Sequence, residues 1–292
     1  MFAPCGDAMR DSVSERRFPL DLKLGVLEQW FDGEPVVPGD TLDERLANLD
    51  AAGYQGIQLN RISSTLGLPE IKRALANSPV KLLIHGKGGR ILGPDEATRA
   101  AAVADICDGL REAAELGVVG SILVPIRVQP EIEPPPESSG KTVVQLEREI
   151  LIEQLRKIAP VAEEVGTPII LEPLNRYESH LLKSLNDAAE ICRAVGSPGI
   201  RMMGDFFHMN IEDDDMGKAI EDAADVLAYI HLADSNRFEP GQGHLDFTPG
   251  FAALKRIGYD GYLTIESKIK GGASVEALAA SARYIRETWD AA

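Results

Sequence analysis

Short apolar runs recur eight times along the chain: Leu22–Leu27, Gly56–Leu59, Val80–His85, Ser121–Ile126, Pro168–Glu172, Ile200–Asp205, Leu227–Leu232 and Tyr262–Glu266. Strands covered on both faces read as near-continuous apolar runs, and these mostly do. Between them lie segments of helical period. Thr41–Ala52 carries Leu42, Leu46 and Leu49 on one stripe, and Leu68–Ala76, Asp95–Leu116, Val144–Val165, Ser184–Val195, Asp213–Ala224, Thr248–Ile257 and Ser274–Thr288 follow. Ser184 with Asp187 three residues on forms a box-like helix start, and Thr41 stands before Asp43 and Glu44. Gly53, Gly117, Gly166, Gly196 and Gly258 mark helix ends.

Eight strand-then-helix units admit a closed barrel or an open doubly wound sheet. The first strand runs into GVLEQWFDG rather than a GxGxxG turn, and no P-loop is present. The pattern therefore predicts a single (β/α)8 TIM barrel over residues 22–292, its active site at the C-terminal rim of the strands. Residues 1–21 read as a loosely held arm. The Pro-rich loop at 128–141 follows strand four, so a barrel places it on the active rim, as a partial lid or a disordered excursion.

Composition narrows the function classes. The 292 residues carry 30 Lys and Arg against 46 Asp and Glu, a formal charge of −16 that argues against a broad grip on nucleic acid. Three widely spaced cysteines form no CxxC pair, so neither a disulfide framework nor a structural zinc site is expected. No apolar run reaches the roughly 18 residues of a membrane span, and the opening segment lacks a signal-like run. The expectation is a cytoplasmic protein without membrane or nucleotide cofactor.

Packing does not ask for what ends strands five to eight. They finish on Glu172, Asp205, His231 and Glu266, about one strand-helix unit apart, and parallel strands in a barrel deliver such ends to one rim. Clustered carboxylates repel, and some would be driven toward protonation. A divalent cation removes that cost. Three carboxylates with one imidazole suit Mn2+, Mg2+ or Co2+, and zinc fits as well. The acidic run Glu212–Asp215 lacks the spacing of a calcium loop and reads as a solvated first turn of the following helix.

The words LEPLNRYE (Leu171–Glu178), GDFFHMNIE (Gly204–Glu212), IHLADSNR (Ile230–Arg237), PGQGHLDF (Pro240–Phe247) and TIE (Thr264–Glu266) resemble the xylose-isomerase-like TIM-barrel superfamily. Within it they look most like the ketose 3-epimerases of the D-tagatose and D-psicose group. The resemblance implies Glu172, Asp205, His231 and Glu266 as ligands of one divalent ion, Mn2+ favoured, with Glu172 and Glu266 also the acid/base pair. It implies Glu178, His208 and Arg237 as contacts to substrate oxygens. In the first half, where the resemblance is weaker, His85, Glu28, Trp30 and Asn60 are candidates for the sugar pocket. The Pro-rich loop matches nothing in that group.

The implied chemistry is proton removal beside a ketone. A metal on the carbonyl and neighbouring hydroxyl oxygens stabilises the enediolate. Return of the proton from the opposite face inverts the carbon, return to the next carbon isomerises the sugar, and loss of a leaving group makes the enzyme a keto-sugar lyase or dehydratase. Fold does not choose among these. A DNA endonuclease of the same superfamily would need extra histidines and a basic groove; five histidines and the acidic charge oppose it. The expected partner is a small sugar, and a homo-oligomer is left open.

Overall fold

The computed structural model describes residues 22–60 and 66–292. The arm expected over 1–21 lies outside the described residues. Eight strands form the inner layer: β1 (Lys23–Leu27), β2 (Gly56–Gln58), β3 (Lys81–Leu82), β4 (Ser121–Leu123), β5 (Ile169–Leu171), β6 (Ile200–Asp205), β7 (Leu227–Leu232) and β8 (Tyr262–Ile265). The order is β3-β2-β1-β8-β7-β6-β5-β4, and neighbouring strands in it run parallel. The seam between β3 and β4 is thin. An isolated parallel bridge joins Ile84 to Gly120, with Val119 N–H donating to Leu83 O at 2.8 Å. The sheet thus curls into the predicted barrel.

Helices α1 (Leu42–Ala52), α2 (Leu68–Leu75), α3 (Glu96–Leu116), α4 (Val143–Val165), α5 (Leu185–Val195), α6 (Phe206–Glu212), α7 (Met216–Asp222), α8 (Thr248–Arg256) and α9 (Val275–Ala291) accompany the strands. The expected start signals operate. Thr41 with Glu44 and Ser184 with Asp187 form capping boxes, each relieving orphan N–H groups of a first turn. One helix departs from expectation. The stretch after β6, where the sequence pattern predicts no helix before Asp213, is α6, and its N-cap is Asp205, whose Oδ1 accepts from Phe207 N–H at 2.9 Å. The acidic run consequently is not a first turn. Glu212 ends α6 and pairs with Arg176 at 2.8 Å, and Asp215 caps α7.

Period two sorts each strand into two cores. Ile169, Leu171 and Met202 face the helices, in the large outer core. Ile170, Met203 and Tyr229 face inward with Leu83, Ile84 and Ile122, and fill the barrel. Room for Leu83 comes from small residues opposite it: a Cβ on Gly56 would lie 2.5–2.6 Å from the Leu83 side chain. The next inward layer toward the C-terminal rim is two residues further on. It holds Leu27, Gln58, His85 and Val124 on one half of the mouth, and Glu172, Asp205, His231 and Glu266 on the other. The fold thus makes a mouth that is ionisable along β5–β8 and nearly neutral along β1–β4.

The Pro-rich loop touches the barrel at identifiable points. Glu131 pairs with Arg90 at 2.7 Å, Ile132 is buried, and a single 3-10 turn spans Glu137–Ser139 before α4. Among the described residues no helix is long and apolar enough to cross a membrane.

Candidate metal centre and substrate cleft

Parity alone brings Glu172, Asp205, His231 and Glu266 to one level, and the structure closes them into a group. One ligand-capable atom from each lies within 4.8 Å of the others, and all four residues are buried. His231 Nδ1 faces Glu266 Oε2 at 3.4 Å, Glu172 Oε1 at 3.6 Å and Asp205 Oδ2 at 4.0 Å. Its other nitrogen, Nε2, lies 3.0 Å from Gln58 Oε1, across the barrel interior. Gln58 Oε1 also accepts from Tyr229 OH at 3.2 Å, and that hydroxyl meets Thr264 Oγ1 at 2.7 Å. An amide oxygen accepts only, so this network places a ring proton on Nε2 and turns Nδ1 to the carboxylates.

Electrostatics follow from burial and neighbours. Burial alone would lower the His231 pKa, but Glu266 and Glu172 outweigh it and raise it to about 10. Burial would raise Asp205, yet Arg237, His208 and His231 hold it down to about 2. Glu266 is opposed by burial and lowered by His231 and Arg237. Arg237 Nη1 donates to Asp205 Oδ2 at 2.7 Å and Nη2 to Glu266 Oε2. A carboxylate oxygen has two lone pairs, so these bonds leave one on each for another ligand.

Arg237 reaches this position through an uncommon backbone state, φ +61° in a non-glycine residue. Its loop is tied by Asp234, a buried carboxylate that accepts from the backbone N–H of Ser235 at 2.7 Å, Gly241 at 3.0 Å and Leu245 at 3.0 Å. The guanidinium lies 4.7 Å over the Phe207 ring and 5.6 Å from that of Trp30. Arg237 is therefore largely buried between these rings and the carboxylates rather than paired at the surface.

Two lobes open beside the group, of about 300 and 330 Å3, and both are lined by Phe31, Arg127, Glu172 and Glu266. The second adds Trp30, Glu178, Phe207, His208 and Arg237, and so collects every substrate contact the sequence suggested in the second half. His208 sits on α6 rather than a loop. Its Nδ1 accepts from the Asn175 backbone at 3.3 Å, which turns Nε2 toward Asp205 Oδ2 at 3.8 Å. Glu178 accepts from Asn175 Nδ2 at 3.0 Å and does not pair with Arg176, whose partner is Glu212.

The first lobe belongs to the neutral half. His85 and Asn60 line it, although the His85 ring also lies 3.4 Å from Glu112 of α3. Glu28 is otherwise engaged, paired with Arg45 at 2.6 Å and accepting from Asn60 N–H. Sequence reading missed Gln58, Asn175 and Arg127. Asn175 lies inside the motif LEPLNRYE and was within reach; Gln58 and Arg127 carry no local signal.

The residues fit a divalent ion. His231 Nδ1 is a buried atom with no hydrogen-bond partner among the described residues, and it points at three carboxylates. Buried polar atoms are rarely left so. A ligating histidine that donates its second N–H to an acceptor is also the usual outer arrangement of such sites. Three oxygen donors with one nitrogen suit manganese, magnesium, cobalt or zinc.

Comparison with known proteins bears on the fold and the site together. The model of the xylose isomerase-like TIM barrel family matches residues 46–288. The 3-dehydro-D-guloside 4-epimerase of Escherichia coli K12 is 29% identical over 267 residues, covering 91% of this chain and 99% of that enzyme. A D-psicose 3-epimerase of Ruminiclostridium cellulolyticum is 36% identical over 124 residues, a segment spanning 42% of each protein. The crystal structure of 3-keto-D-glucoside 4-epimerase from E. coli, in its apo form, superposes with a TM-score of 0.78 at 27% identity, covering 91% of this chain and 99% of that one.

Proposed function

The chain belongs to the xylose isomerase-like TIM barrel family, and on that premise we propose that it is a divalent-metal-dependent epimerase of a keto-sugar. Its substrate on this reading is a 3-keto-glycoside inverted at C4. The observation that carries the reading is the buried group itself: three carboxylates around the unpartnered Nδ1 of His231. The choice of carbon is supported by likeness in sequence over nearly the whole chain to a 4-epimerase, whereas the psicose enzyme aligns in sequence over less than half.

Glu172, Asp205, His231 and Glu266 would hold the ion, with Mn2+ as the first choice. When bound, it would polarise the keto oxygen and the adjacent hydroxyl oxygen, which stabilises the charge left when the C–H proton departs. The protein supplies the proton movement. Glu172 and Glu266 follow β5 and β8, the two ends of the ionisable half of the mouth, with β6 and β7 between them. One carboxylate takes the C4 proton, breaking that C–H bond and becoming a carboxylic acid. The other, protonated beforehand, delivers its proton to the opposite face of C4, forms the new C–H bond and ends as a carboxylate. His208, Glu178 and Arg237 lie where ring hydroxyls would be bonded, and Trp30 and Phe207 offer flat apolar faces to the sugar's C–H surface.

The test is incubation of the Mn2+-loaded protein in D2O with a 3-keto-glucoside and, separately, with a ketohexose. Deuterium at the carbon next to the carbonyl, with appearance of the epimer, is the expected result. Release of water or aglycone without an epimer would replace the proposal by a lyase. No exchange with any keto-sugar would remove it.

A further inference from the structure

We infer that Arg127 contacts the substrate and reads the part of it that lies beyond the reacting carbon, and that the buried Glu147–His180 pair is what positions Arg127. The inference deepens the keto-sugar reading above and rests on it. It adds the residues that would read the second, O-linked group of such a keto-sugar, a group that a free ketose lacks.

Arg127 follows β4 at the start of the Pro-rich excursion, and its side chain lines both lobes of the cleft beside Glu172 and Glu266. It is poorly used as a structural residue. The hydrogen bond it makes through its guanidinium is a long one, 3.4 Å to Glu178 Oε2, between two half-exposed side chains. Such a pair adds little to stability. A guanidinium offers five N–H donors in a planar fork, suited to neighbouring sugar oxygens. Arg237, by contrast, already gives an N–H from each of its two Nη atoms to Asp205 and Glu266.

The backbone of Arg127 is held by unusual means. His180 Nδ1 lies 3.0 Å from Arg127 O, and His180 Nε2 lies 2.7 Å from Glu147 Oε2. Glu147, on α4, is fully buried, and its Oε1 has no partner among the described residues. Both ring nitrogens thus face acceptors, which requires two protons on the histidine-carboxyl pair. Burying a carboxyl group with one oxygen unsatisfied is costly. Here that cost secures the carbonyl of a single loop residue, whose side chain stands over the cleft. Because Arg127 sits where the two lobes meet, the oxygens it reaches belong to the junction between a ring in the Trp30–Arg237 lobe and whatever that ring carries into the neutral lobe.

The experiment uses the Mn2+-loaded full chain, a 3-keto disaccharide and D-fructose, with deuterium exchange and calorimetric binding read in parallel. R127M should raise KM for the disaccharide about 10-fold or more, with a smaller rise for D-fructose and most of the effect outside kcat. H180A and E147A should reproduce that rise. E147Q, which still donates to the ring, should restore KM. R127M/H180A should be no worse than R127M, because His180 acts through Arg127. Unchanged KM and affinity in R127M would overturn the contact, and an equal rise for both sugars would overturn the reading of the second group. Additive losses in the double variant would overturn the positioning role. Absence of exchange in the parent protein alongside disaccharide binding that R127M weakens would sink the epimerase reading and leave this one standing.

Discussion

At the scale of single residues, the chain's ionisable groups divide by whether a neighbour answers their burial. Asp205 and Glu266 are answered by Arg237 and His231 and are held ionised. Asp213, outside the site, is not. One of its oxygens is bonded by the Leu185 backbone, but Oδ2 is buried without a partner among the described residues. Burial, with Glu212, Asp187 and Asp214 nearby, raises its pKa to about 6. A carboxyl group whose pKa is higher folded than unfolded favours the fold below its unfolded value and loses that contribution as pH rises through its folded value. Asp213→Asn, which keeps the size and removes the charge, should therefore stabilise the protein at pH 8 by on the order of 2 kcal/mol. The gain should disappear below about pH 4, where the parent group is protonated in both states. Urea unfolding at the two pH values checks this; an equal gain at both would show that charge is not the cause.

Elements explain why the site has the shape it has. Each strand contributes inward residues two apart, so the residues that plug the barrel and the residues that line its mouth are consecutive members of one series: Ile170 then Glu172, Met203 then Asp205, Tyr229 then His231. The plug depends on volume. Leu83 is fully buried opposite Gly56, and an added methyl there meets Leu83 Cγ at 2.6 Å, not only its flexible tip. Gly56→Ala should cost about 1–3 kcal/mol through overpacking. Leu83→Ala in the same chain should relieve much of that, so the two losses measured by chemical denaturation should fall short of their sum. Full additivity would mean the methyl finds room elsewhere. The same geometry lets Asp205 do two jobs: Oδ1 caps α6 while Oδ2 faces the site. That is why the end of β6 is also the N-cap of a helix, and why His208 arrives on α6 one turn later, bonded to Asn175.

The whole molecule gathers negative charge at one rim, in a chain already at −16. A divalent ion that binds only the folded protein should raise its stability by about 2.7 kcal/mol at one hundred times its dissociation constant. For a chain of this size that is a rise in Tm of several degrees. Thermal melts with Mn2+, then with EDTA, should show the shift and its reversal, and His231→Gln should abolish both. An undiminished shift in that variant would place the ion elsewhere. The barrel and the meeting of four polar strand ends at one rim were legible in the chain, because burial on both faces writes itself as apolar runs and parallel strands must share a rim. Thr41, Ser184 and the helix-ending glycines were legible for the same local reason: caps answer backbone groups within a few residues. Only the closed tertiary structure decided that Gln58 reaches His231, that Arg237 spans Asp205 and Glu266 rather than facing solvent, and that Glu147 and His180 hold Arg127. Those partners lie between 29 and 173 residues apart in sequence. No local period or propensity encodes such pairs, since each exists only once closure has set two distant stretches of backbone side by side.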